Sequence, residues 1–198
     1  AGIHPHDAKS ATNELEAQLT VLANNKHVIA IGECGLDYNR DFSPRDVQRS
    51  VFRRQLALAE KLDLPVYLHE RDASDDMLSI LKEFSIRGVL HCFTGNSAAL
   101  KQYLGLYIGI TGWVCDERRG KDLQQLVPSI PLDRLLIETD APFLIPRTVK
   151  PKPKSRKNEP ALLPYICQTV AQLYQIDEEV VARKTTENFH RVFGLEDR

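Results

Sequence analysis

The sequence predicts an α/β fold, a parallel sheet wrapped by crossover helices, of the eight-stranded β/α-barrel type but N-terminally incomplete in this chain. Three observations predict it. Short β-rich runs alternate with amphipathic helical patterns along most of the 198 residues. Only five such runs are clear, whereas a closed barrel needs eight strands and about 250 residues, so either strands are missing or the sheet is open. The opening Ala1-Gly2-Ile3-His4-Pro5-His6 reads as the tail of a sixth strand, which favours missing strands in a single domain spanning residues 1–198.

Taken in order, Asn13 with Glu16 three residues on fits a capping box and opens a first helix. The β-branched run Val28 to Gly32 is the first full strand. Ser43 followed by Pro44 reads as an N-cap and first helical position, and Val47, Val51, Leu56, Ala59 and Leu62 form an apolar stripe that ends before Pro65. Val66 to His69 is the next strand. A helix from near Asp72 sets Ala73, Met77, Leu81 and Phe84 on one face. Strands follow at Gly88 to His91, Leu106 to Thr111 and Leu135 to Thr139. After a basic, proline-containing segment come two more helical patterns, the second from Asp177 to Gly194 with Phe189, Val192 and Phe193.

Apolar residues at 42% and charged residues at 27% match ordinary globular proteins and set aside wholesale disorder and a disulfide mini-scaffold. The longest strictly apolar stretches have four residues, against about 20 for a membrane span. No basic region followed by an apolar one opens the chain, so a cytoplasmic address is the default expectation. Cys34, Cys92, Cys115 and Cys167 lack the close pairing of zinc motifs or redox dithiols and read as reduced thiols. The 26 Lys and Arg nearly balance 27 acids, but Arg147, Lys150, Lys152, Lys154, Arg156 and Lys157 cluster with no acid among them. The rest of the chain is acidic, and this one loop is suited to a polyanion.

Four apolar strands each run into a residue able to bind a metal: Glu33, His69, His91 and, closing Leu-Leu-Ile-Glu-Thr-Asp, Asp140. In parallel α/β folds the carboxyl ends of the strands form the ligand face, so these side chains are expected to converge on one divalent cation. Imidazoles favour zinc or manganese, and carboxylates with water also admit magnesium. Strand alternation turns Cys34 and Cys92 away from Glu33 and His91, which argues against thiolate ligation. Singly, a strand-end histidine is more often a satisfied structural group and an acid there a helix N-cap. Their coincidence on four strands favours the shared site.

Three further residues carry two readings each. His4 is placed to position a phosphate or water, or is a turn histidine fixed by Pro5. Arg71 offers a guanidinium fork to an anion, or pairs with Asp72 or Asp75. Trp113, just past a strand end, stacks a base or packs in the core.

Gly2-Ile3-His4-Pro5-His6, Gly32-Glu33-Cys34-Gly35-Leu36-Asp37, Leu68-His69, Leu90-His91-Cys92-Phe93-Thr94-Gly95, Gly109-Ile110-Thr111-Gly112-Trp113 and Glu138-Thr139-Asp140-Ala141-Pro142 resemble, in order, the TatD-type metal-dependent deoxyribonucleases. The resemblance continues through Asn158-Glu159-Pro160 and Asn188 to Phe193, and so covers essentially the whole chain. It implies a TIM barrel of the metal-dependent hydrolase kind and cleavage of DNA from the 3′ end, preferring single strands, with RNA as a further substrate. Mg2+ is the cofactor it leads us to expect, Mn2+ and Zn2+ being the alternatives. By motif, Glu33, His69 and His91 are implied metal ligands, Asp140 a ligand or general base, and His4 a phosphate contact. The two strands and Asp-x-His-x-His motif with which many family members begin are not in this chain. Two rival readings remain: a metal-dependent hydrolase of small amides, lactones or phosphoesters, which would be indifferent to the basic loop, and a non-catalytic quality-control module with a relic metal pocket.

Overall fold

In the computed structural model, which describes residues 1–195, the chain forms two compact units, Ala1–His91 with the residues from Val192 on, and Cys92–Arg191. The first unit holds three parallel strands in the spatial order β1 (Ile31–Asp37), β2 (Val66–Arg71), β3 (Gly88–Leu90). After α1 (Leu15–Ala23), α2 (Arg45–Leu62) connects β1 to β2 and α3 (Ser74–Leu81) connects β2 to β3, the crossovers that parallel pairing requires. The second unit runs α4 (Ser97–Tyr103), β4 (Tyr107–Ile110), α5 (Lys121–Leu126), β5 (Leu135–Ile137), α6 (Leu163–Tyr174) and, as far as Arg191, α7 (Glu178–Phe193), with β4 and β5 parallel. The α/β class is as the sequence predicts, and each of the five predicted strands has a counterpart, the first of them shifted along the chain. No helix among the described residues is long and apolar enough to cross a membrane.

The first strand is displaced from its predicted bounds. Val28 to Ala30 stay outside the ladder, the Val28 N–H closing a turn on the Asn25 carbonyl, and pairing with β2 begins at Ile31. Glu33 is therefore the third residue of β1 instead of its end, and the strand runs on to Asp37 through Gly-Glu-Cys-Gly, a sequence of weak β-propensity that the partner strand overrides. Gly32 pairs with Tyr67 and Cys34 with Leu68, so Glu33 is the extra residue of a bulge, a device that re-aims a side chain. Gly35 has a φ of +144° and a side chain there would collide with the His69 carbonyl oxygen, so this position requires glycine.

The predicted sixth-strand tail pairs only at Ala1, whose ammonium donates to the Ala30 carbonyl (2.8 Å) and whose carbonyl accepts the Gly32 N–H (2.9 Å). Pro5–Ser10 then forms a 3-10 turn. α2 buries Val51, Phe52, Leu56, Leu58 and Ala59, close to the predicted stripe, and each fully buried large side chain contributes about 1.5–3 kcal/mol. It stops at left-handed Asp63, before Pro65 as expected.

The predicted caps form differently because longer-range partners claim the same side chains. Ser43 does not cap α2; its hydroxyl accepts the Lys9 N–H (3.0 Å) and donates to the His6 carbonyl (2.8 Å). The Asn13–Glu16 box is absent, since α1 starts at Leu15 and Glu16 pairs with Arg54 at 2.6 Å. At α3 the carboxylate of Glu70, not Asp72, takes the Ala73 N–H (2.8 Å) and the Ser74 hydroxyl (3.1 Å).

Candidate metal centre

Glu33, His69 and His91 come from three adjacent parallel strands or their ends, and their donor atoms form a small triangle. Glu33 Oε1 lies 3.0 Å from His69 Nδ1 and 2.7 Å from His91 Nε2, and the two nitrogens are 3.3 Å apart. Ligand atoms about 2.1 Å from a common ion stand about 3.0 Å apart at right angles and about 3.4 Å apart in a tetrahedron, so this triangle has the edges of a coordination polyhedron. One carboxylate and two imidazoles are also a donor set suited to a divalent cation. Burial opposes the charge on Glu33, yet hydrogen bonds from His4, His69 and His91 outweigh it and hold the carboxyl well below the usual range. The group is thus an anion with imidazole nitrogens of three histidines around one of its oxygens.

A second carboxylate, which the sequence pattern does not single out, orients one of these side chains, His69. Asp37 is buried at the end of β1; its Oδ1 accepts the N–H groups of Asn39 (3.0 Å) and Arg40 (2.8 Å), and its Oδ2 faces His6 Nε2 (2.7 Å) and His69 Nε2 (3.3 Å). Burial again works against its charge, and these donors lower its pKa all the same. An ionised Asp37 can only accept, so with an ion held at Nδ1 His69 would keep its proton on Nε2, toward Asp37, and turn the Nδ1 lone pair to the side of Glu33 and His91. This is the carboxylate–histidine arrangement that orients metal-binding imidazoles.

His4 sits beside this group in a different role. Its Nδ1 accepts the His6 N–H at 3.1 Å, capping the 3-10 turn, so the neutral ring keeps its proton on Nε2, which points at Glu33 Oε1 (3.3 Å). The turn reading of His4 is therefore realised, with its Nε2 turned toward Glu33. His4, His6 and His69 also lie close enough to suggest an ion. With His4 Nδ1 and His6 Nε2 already engaged, that second cluster has too few free lone pairs to hold one.

Two buried glutamines of α2 hold the frame. Gln48 accepts the Asp37 N–H (2.8 Å) and donates to the carbonyls of Asp37 (3.2 Å) and Ser43 (2.8 Å). Gln55 grips Ile3 in the same two-sided way, 2.7 Å to its N–H and 3.0 Å to its carbonyl. The only sequence sign of these roles is a polar residue within an apolar helical face. Arg71 ends β2, exposed, and among the described residues makes no ion pair with Asp72 or Asp75; Asp72 instead accepts from Asn39 (2.8 Å). Cys34 is fully buried, burial followed by the nearby Glu33 charge pushes its thiol up to about 12, and among the described residues it is in neither donor cluster. None of the four cysteines is in a disulfide.

Asp140 belongs to the second unit, three residues beyond β5, and is in neither cluster. There the carboxylate of Glu138 accepts the Cys92 N–H at 2.5 Å, and Asp140 takes a left-handed conformation (φ 55°) with its carbonyl closing a turn on Phe143 (2.8 Å). Asn158, buried, donates to the Thr139 carbonyl (2.8 Å) and takes the Pro142 carbonyl on its N–H (3.0 Å), which fixes the Asp140 loop. Trp113 is half-buried with the Arg119 guanidinium 5.0 Å over its ring, a cation–π pair that neither of its two sequence readings anticipates. Of the basic segment, Arg147 is tied to Glu117 at 3.0 Å, whereas Lys150, Lys152, Lys154, Arg156 and Lys157 lie at the surface and make no ion pair among the described residues.

Comparison with known proteins adds a lineage to this geometry. Residues 1–194 match the profile of a family described as TatD related DNase. Curated proteins named 3′-5′ ssDNA/RNA exonuclease TatD from Erwinia tasmaniensis and a Rahnella species are 52% and 51% identical, over 98% and 100% of this chain and 77% of each relative. Among solved structures, a hydrolase TatD family protein from Entamoeba histolytica superposes with a TM-score of 0.87 at 28% identity, covering 98% of this chain and 73% of that one. A TatD homolog from Escherichia coli gives 0.84 at 26% identity, over 98% and 75%.

Proposed function

Because the chain belongs to the TatD related DNase family, we propose that it is a divalent-metal-dependent phosphodiesterase that removes nucleotides from the 3′ end of single-stranded DNA and RNA. The observation that carries this reading is the triangle of Glu33 Oε1, His69 Nδ1 and His91 Nε2, ligand-type atoms at coordination spacing. A divalent cation held by these three residues would polarise a phosphoryl oxygen and lower the pKa of a water. Two nitrogens to one oxygen make the set a tighter host for Mn2+ or Zn2+ than for Mg2+, the cellular ion then following availability.

The remaining steps belong to the chain's own groups. His4 donates its Nε2–H to a phosphoryl oxygen, and Arg71, exposed and without an ion pair, grips a phosphate with its guanidinium fork. Asp140, beyond the carboxyl end of β5, takes the proton of the attacking water as general base, and the departing group is a sugar oxygen. The cations from Lys150 to Lys157 draw in the rest of the strand. Placing water, phosphate and leaving oxygen together can remove several kcal/mol of barrier.

The deciding experiment uses 5′-labelled single-stranded DNA and protein loaded with Mn2+. Stepwise shortening from the 3′ end, abolished by a chelator and absent in Glu33→Ala, is expected. Cleavage that survives both chelation and that substitution would overturn the assignment, and turnover confined to small esters or amides would move the protein to another substrate class.

A further inference from the structure

Among the described residues, the large exposed apolar side chains of the first unit are Val21 and Leu22 on α1, and Phe42. Phe42 alone of these touches the histidine cluster. Its ring is 55% exposed and meets the His6 ring at 4.8 Å between centroids, 75° apart in plane, and the His6 ring is 6.1 Å from that of His69. An exposed aromatic costs solubility and contributes little to folding, so its position two rings from a metal ligand calls for a reason.

The loop that carries Phe42 is braced along its length. Asp37 holds the Asn39 and Arg40 N–H groups, the Arg45 guanidinium binds Asp41 with two hydrogen bonds of 2.9 and 2.7 Å, and the Lys9 ammonium donates to the Phe42 carbonyl at 3.0 Å. The ring thus stands on a stiff support, with the exposed cations Lys9, bonded to the Phe42 carbonyl, and Arg40, two residues back in the same loop. A fixed π face accompanied by cations is how single-strand binders hold a base while its phosphates are neutralised.

We propose that Phe42 is a nucleobase subsite, a platform on which a base of the 3′-terminal segment stacks so that the adjoining phosphate reaches the metal centre. This rests on the nuclease reading above, and it concerns recognition of the base instead of the phosphate. Because one aromatic face suits every base, the subsite confers a preference for unpaired ends without a preference for sequence.

The test is equilibrium binding of Mn2+-loaded protein to 5′-fluorescent single-stranded DNA protected at its 3′ end by phosphorothioate linkages, against the same strand with its last two residues abasic. Phe42→Ala is expected to bind the base-bearing strand about 10-fold more weakly, Phe42→Leu nearly as weakly, and Phe42→Trp as wild type. The abasic end should cost the wild type a similar factor and Phe42→Ala nothing further, the signature of a coupled pair. With cleavable DNA, KM should rise and kcat stay within about twofold, as for binding shared by ground and transition states. Wild-type affinity in either Phe42→Ala or Phe42→Leu, or an equal loss in Phe42→Ala on abasic and base-bearing ends, overturns the subsite. If no strand is cleaved by any form yet binding depends on Phe42 and on the terminal bases, the nuclease reading fails and the subsite stands.

Discussion

His69 is held between two carboxylates, its Nε2 3.3 Å from Asp37 Oδ2 and its Nδ1 3.0 Å from Glu33 Oε1. The two contacts are not equivalent. Asp37 is buried and saturated with donors, whereas Glu33 is partly open and shares one oxygen among three imidazoles. A neutral imidazole can give its single proton to only one of them, and an ion held at Nδ1 would leave that proton on Nε2, facing Asp37. Asp37 would thereby hold the ring with its Nδ1 lone pair on the side of Glu33 and His91.

Asp37→Asn tests this assignment. The amide can present an N–H to His69 Nε2, which would move the ring proton to Nδ1 and block the ligand atom. Metal affinity measured by titration calorimetry is expected to fall about 10–100-fold. Nitrogen NMR of the metal-free protein should show His69 exchanging its Nε2–H tautomer for Nδ1–H. Unchanged ring shifts together with unchanged affinity would remove Asp37 from the design.

Metal binding should itself stabilise the fold, since the ligands come from three strands that are assembled only in the native state. At Mn2+ a hundredfold above its Kd, a gain of about 2.7 kcal/mol in unfolding free energy is expected. Glu33→Gln, which removes the anionic oxygen at one corner of the triangle, should forfeit most of that gain in denaturant melts. An equal Mn2+ effect on both proteins would place the ion elsewhere.

Gly35→Ala should be far more damaging than a glycine-to-alanine change usually is. The added carbon meets the backbone of His69 on the neighbouring strand, and φ of +144° is strained for any other residue. A loss of at least about 2 kcal/mol is expected, with weaker metal binding as β2 is pushed away. Gly105→Ala, at a position with nothing within 4 Å of the added carbon, serves as the control.

The Cys34 thiol, pushed up to about 12 by burial and then by the Glu33 charge, gives a pH signature. An unfolded cysteine ionises near 9.0. The neutral thiol's contribution is fully present below that pH and is lost as pH rises toward the folded value. Thermal melts between pH 8 and pH 11 are therefore expected to decline more steeply for the wild type than for Cys34→Ala. Parallel declines, or rapid alkylation of native Cys34 at pH 8, would contradict the burial.

Lys152, Lys154 and Lys157 make no ion pair among the described residues, so reversing all three should leave melting unchanged. Affinity for single-stranded DNA should drop, and the slope of log K against log salt should flatten by about 0.7 for each phosphate that is no longer neutralised. Arg147→Glu is expected to behave differently, because that guanidinium already serves Glu117 and its removal would also disturb the loop. A salt slope identical to wild type in the triple variant would assign the segment to solvation alone.

Much of this molecule can be read along the chain. Strand alternation and helical periodicity are local properties, so five strands and the stripe of α2 emerge from spacing alone, and Glu33, His69 and His91 stand out because chemically costly residues interrupt apolar runs. Asp37, Gln48, Gln55 and Phe42 carry no such mark, since each acquires its role from a partner in another segment: Asp37 from His69 and His6, Gln48 from the end of β1, Gln55 from Ile3, Phe42 from His6. The start of β1 and the fates of Ser43 and Glu16 were likewise set at a distance, by pairing with β2, by the 3-10 turn and by Arg54. Periodicity reports which face is apolar. It is silent on which proton a ring carries, because that depends on an acceptor brought near only when the strands have paired and the helix has packed.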